Sequence, residues 1–131
     1  MTSSVSRTAS PALRGLLFGL LTIAGSASLL AHLAVTKTYP AQDAAPGKSP
    51  DHVQVWFSET PELSISSLTL VGPGGPIALD AVQSGEANSL RATVKGTLAR
   101  GAYTVTYKTA GRDGHPLRGE FKFQVAPATT P

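Results

Sequence analysis

The segment best equipped for chemistry is Asp113-Gly114-His115-Pro116. A carboxylate and an imidazole two residues apart, with glycine between, can project from the same side of a loop. Gly114 permits a tight backbone, and Pro116 confines His115 to extended conformations. Imidazole nitrogen and carboxylate oxygen together suit Zn2+, Cu2+ or Ni2+. Asp-Gly is also an ordinary turn dipeptide. Taken alone, the segment fits a plain turn better than a metal loop.

A second residue changes that balance. His32 follows Ala31, where a leader could be removed. A free His32 would carry two donors on one residue, its α-amine and its ring Nδ1, which close a six-membered chelate. His115 adds a third nitrogen, in a T-shaped arrangement, and Asp113 an oxygen. Such a set suits tetragonal Cu2+, which stands at the top of the divalent affinity order. The amine must lose its proton to bind, so affinity should rise with pH through its ordinary range.

Composition removes most other chemistries. The chain has 131 residues, enough for one domain, with 41% hydrophobic and 15% charged residues. With no cysteine, it has no disulfide, thiolate metal site or thiol nucleophile. Its single methionine, Met1, leaves no thioether cluster for Cu+. Gly72-Pro73-Gly74-Gly75 lacks the Lys and the helix of a phosphate loop, and reads as a turn. No serine sits in a nucleophile elbow, and no carboxylate pair is marked for glycoside hydrolysis.

The first 31 residues read as a cleaved signal peptide. Arg7 and Arg14 precede an uncharged run, residues 15–31, that ends in small residues, and no acid occurs before Asp43. At 17 residues, with Gly and Ser in it, the run is at the lower limit for spanning a bilayer. Cuts after Ala27 and after Ala31 both satisfy the local rule. Removal of residues 1–31 takes away two arginines and lowers the net charge from +3 to about +1. There is no basic stripe with interleaved aromatics, so nucleic acid is not an expected partner.

The rest must position these residues, and it reads as strands. Period-two alternation recurs at 32–37, 53–57, 65–71, 90–94, 103–108 and 120–125. Val53, Val55 and Phe57 share one face; Phe121, Phe123 and Val125 share another. Turn chemistry falls at 39–50, 72–76, 84–88 and 100–101. About seven short strands and no helix predict an all-β, antiparallel sandwich of immunoglobulin type over 32–125, with a flexible tail at 126–131. Tyr103 and Tyr107 read as core, where a tyrosine corner fits. Trp56 reads as a packed aromatic, and His52 as an exposed strand-edge histidine rather than a ligand.

Four segments in order carry a resemblance: residues 32–41, opening at His32; Val55-Trp56-Phe57-Ser58-Glu59; residues 100–105; and residues 113–125. Together they resemble the CopC family of periplasmic copper-binding proteins. The resemblance implies a cupredoxin-like or immunoglobulin-like β-sandwich and favours the cut after Ala31. It further implies one Cu2+ per chain, held by the His32 amine and the side chains of His32, Asp113 and His115. Glu59 matches an acid near the family's site, as an outer or weak axial partner or as a solvated acid. The family's Met-rich Cu+ site has no counterpart here. The implied function is copper homeostasis or resistance, without catalysis, in an exported protein with a CopD-like inner-membrane transporter as partner. Two other readings compete: a copper-dependent oxidative enzyme built on the N-terminal histidine, and a metal-free sandwich that mediates interactions. The enzyme needs an open equatorial position that Asp113 would crowd.

Overall fold

The structure, a computed structural model, describes residues 32–126. Alternation in the C-terminal strand shows how the layers form. Phe121, Phe123 and Val125 are buried, while Glu120, Lys122 and Gln124 between them are exposed. A strand with one wet and one dry face needs a second apolar face opposite it. Val53, Val55 and Phe57 supply that face and are also buried.

Eight strands result among the described residues: β1 (Val35–Tyr39), β2 (His52–Phe57), β3 (Ser67–Gly72), β4 (Gly75–Ile77), β5 (Gln83–Gly85), β6 (Ser89–Thr93), β7 (Gly101–Ala110) and β8 (Pro116–Val125). They form two antiparallel four-stranded sheets, in the orders β1-β2-β6-β5 and β4-β3-β7-β8. The molecule is therefore the expected β-sandwich. Leu68 and Leu70 of β3, Leu90 and Ala92 of β6, and Tyr103 and Val105 of β7 complete the core.

Several boundaries differ from the expectation. β1 begins at Val35 rather than at residue 32, and a bulge between Val35 and Lys37 shifts its register. Residues 63–65 form a 3-10 turn, so β3 starts at Ser67. β8 begins at Pro116, because its pairing with β7 runs unbroken from Gly101↔Val125 to Ala110↔Pro116. β4 and β5, three residues each, bring the count to eight. Both lie at sheet edges, where backbone pairing needs no apolar periodicity. The expected leader at 1–31 and the tail beyond residue 126 lie outside the described residues.

Three local devices hold the frame. The Tyr103 ring stacks on its cross-strand neighbour Phe123 at 5.4 Å, and its hydroxyl donates to the Ala99 carbonyl at 2.5 Å. This is the upstream backbone bond of a tyrosine corner. Gly119 faces Tyr107, and a Cβ there would collide with the tyrosine ring. Residues 42–44 lie along the outer edge of β8: Asp43 N–H donates to the Lys122 carbonyl (2.7 Å), and Gln124 N–H donates to that of Ala44 (2.8 Å). Tyr103→Phe removes one buried hydrogen bond and keeps the stack. It should cost about 0.5–1.5 kcal/mol in urea unfolding, with an unchanged slope.

Candidate metal centre

The long β7–β8 hairpin ends in a five-residue loop, 111–115, set by its own chemistry. Gly114 N–H donates to the Gly111 carbonyl at 3.0 Å, with Gly114 at φ +76°, a conformation that glycine adopts freely. The Asp113 carboxylate accepts the His115 backbone N–H on Oδ1 (3.1 Å) and contacts His115 Nδ1 through Oδ2 (2.7 Å). These bonds, the ring contact first, hold the Asp113 carboxyl below the usual carboxylate range. With Nδ1 engaged, Nε2 is the ring nitrogen left to bind a metal.

The opposite end of the chain arrives beside this loop. Leu33 is buried in the core and anchors the first residues. Ala34 N–H donates to Ser58 Oγ (2.9 Å), and Ser58 N–H donates to the Ala34 carbonyl (2.8 Å). The Ser58 hydroxyl also lies 3.5 Å from the His32 carbonyl. His32 is thereby brought to His115, with ring centres 6.2 Å apart and planes at 74°.

That spacing fits one ion between two rings. A metal–nitrogen bond of about 2.0 Å puts the metal roughly 3.2 Å from a ring centre, so rings on opposite sides of one ion are about 6.4 Å apart. Side chains alone do not make a cage: among the described residues, no group of three His, Cys, Asp or Glu is placed to hold an ion. Two imidazoles are a partial donor set, and the His32 amine is the donor that would extend it.

Gly111 forms the floor. A Cβ there would sit 3.3 Å from Asp113 Oδ1, 3.5 Å from Leu33 Cβ and 3.9 Å from Glu59 Oε2. Glu59 thus borders the same ground as Asp113, in a polar hollow it lines with Thr60, Asn88 and Arg112. Residue-type reasoning passed over Leu33, Ser58 and Gly111, because none is a metal ligand.

His52 is elsewhere, and it is not the exposed histidine expected. It begins β2, whose far end adjoins Ser58, roughly 17 Å along the strand. Its side chain is 17% exposed, stacked on Tyr39 at 4.5 Å, with Nδ1 2.5 Å from Asp51 Oδ1. Trp56 is half-buried, as expected, beneath the Lys37 ammonium at 4.5 Å.

Residues 35–126 match the CopC domain family. The chain belongs to the CopC family. The match takes in Glu59, Asp113 and His115 and begins three residues after His32. Copper resistance protein C of Escherichia coli is 27% identical over 121 residues, 86% of this chain and 95% of that protein. CopC from Methylosinus trichosporium OB3b superposes with a TM-score of 0.67 at 22% identity, over 76% of this chain and 98% of its own, which shows the shared fold. PcoC of E. coli, described as a methionine-rich copper resistance protein, superposes at 0.66 with 26% identity, over 72% of this chain and 99% of its own. The CopC-family chain described here has one methionine. Its kinship is to copper resistance proteins.

The Asp51–His52 pair offers a test of the surface electrostatics. Asp51 is held below its ordinary 3.8, first by the hydrogen bond from His52 and then by that residue's charge. A carboxyl depressed in the folded state adds stability above its unfolded value and loses it as pH falls through the folded one. The contribution is therefore present above 3.8 and disappears in stronger acid. By carboxyl-carbon NMR, the Asp51 midpoint should lie below 3.8 and rise in His52→Ala.

Proposed function

We propose that this chain is an exported, periplasmic Cu2+-binding protein of copper homeostasis or resistance, cut after Ala31, that holds one ion per chain. The ligands are the α-amine and Nδ1 of His32, the His115 imidazole and an Asp113 oxygen, with Glu59 as an outer or weak axial partner. The observation that carries this reading is the meeting of His32 and His115, 83 residues apart in sequence, at 6.2 Å in a chain of this family. Asp113 remains able to donate, because an ionised carboxylate has about four lone-pair sites and His115 engages only some of them.

The donor types argue for Cu2+. Amine and imidazole nitrogens with one carboxylate suit it, and the thioethers that favour Cu+ are missing. A filled donor set serves binding and transfer, not turnover. A CopD-like inner-membrane transporter is the partner we assign to it. Among the described residues, no helix is long and apolar enough to cross a membrane, so cargo bound here needs a separate carrier to pass one.

N-terminal sequencing of the secreted protein should begin at His32. Cu2+ at a hundred times its dissociation constant should stabilise that protein by about 2.7 kcal/mol in thermal unfolding. His115→Ala should abolish most of this gain. Copper binding should strengthen as pH rises through roughly 7.7–8.0, where the terminal amine loses its proton. Equal copper binding by wild type and His115→Ala, or a start at any residue other than His32, sinks the reading.

A further inference from the structure

We infer that the Ser58 hydroxyl is the positioning group for the N-terminal chelate, a role that rests on the copper reading above. β1 and β2 pair up to Val35↔Phe57, and Ser58 N–H to the Ala34 carbonyl carries the pairing one step further. At that step the Ala34 N–H turns to the Ser58 side chain instead of a strand carbonyl. The same hydroxyl has its donor side toward the His32 carbonyl, at 3.5 Å. A serine hydroxyl has one donor and two acceptor sites, so it serves both groups at once.

The two bonded groups flank Leu33, whose side chain is buried. Leu33 fixes where the segment lies, and Ser58 fixes how it is turned. The His32 carbonyl carbon is attached to the Cα that bears both the amine and the imidazole. Holding that carbonyl therefore sets the direction of both donors toward His115. A first residue without such a tether frays. Ser58 itself is exposed, so removing its hydroxyl leaves the core intact.

The test compares secreted wild-type protein with Ser58→Ala, Ser58→Thr and His115→Ala, using Cu2+ alone as the probe. Outer groups that orient metal ligands typically contribute about 10–100-fold in affinity, and Ser58→Ala should lose at least the lower figure. It should also release copper faster, shift the copper EPR signal and speed hydrogen exchange at the Ala34 amide of the metal-free protein. Ser58→Thr, which keeps the hydroxyl, should restore affinity. Acetylation of the His32 amine should remove the effect, because the chelate is then already broken. Wild-type affinity in Ser58→Ala, with loss in His115→Ala, overturns the role of Ser58 and leaves the copper site standing. An equal further loss in acetylated protein also overturns it, because the effect would then be general loosening. Undiminished binding in His115→Ala overturns both.

Discussion

The burial of one leucine governs the site. Leu33 is inserted into the sandwich at the point where the hairpin loop passes, and it leaves room only for a glycine, Gly111, above it. Full burial of such a side chain is worth about 1.5–3 kcal/mol, more than any exposed hydrogen bond around it. That anchor turns the start of the domain from a loose end into a fixed wall. His32 stands on one side of Leu33, and the strand β1 leaves on the other.

The opposite wall is rigid for a different reason. β7 and β8 are paired along ten residues each, and the loop joining them is closed by a bond between its own glycines. Asp113 engages both the backbone and the ring of His115, so the imidazole is held by a carboxylate rather than by packing. One donor is thus placed by hydrophobic burial at the chain's beginning, and the other by strand pairing near its end. Neither needs a metal to be put in place.

How much of this the sequence disclosed depended on the kind of force at work. Alternation of Phe121, Phe123 and Val125 announced β8, because burial writes itself into every second residue. Gln83, Ser84 and Gly85 gave no such sign. β5 is an edge strand held by backbone bonds, which any residue can make. Residues 32–34 read as strand through Leu33 and Val35, yet Leu33 acts as a plug while Ser58 does the bonding. The Asp113–His115 spacing suggested a loop with both groups on one side, and the loop pairs them. His52 looked exposed because a lone strand-end histidine gives no hint of Tyr39 lying against it. That contact depends on the register of β1 against β2, which composition does not encode. The nearness of His32 to His115 followed from resemblance alone, because no local pattern links residues so far apart in the chain.

The strip formed by residues 42–44 has a consequence for life outside the cytoplasm. Sheet margins with bare amides and carbonyls invite neighbouring molecules to add on, strand by strand, into polymers. Here the chain closes part of its own margin: the backbone of Asp43 and Ala44, with the Gln42 side chain, occupies positions on Lys122 and Gln124 that a stranger would use. An exported protein meets crowding without cytoplasmic chaperones. A folded copy that covers its own border in this way is guarded against aggregation along that stretch.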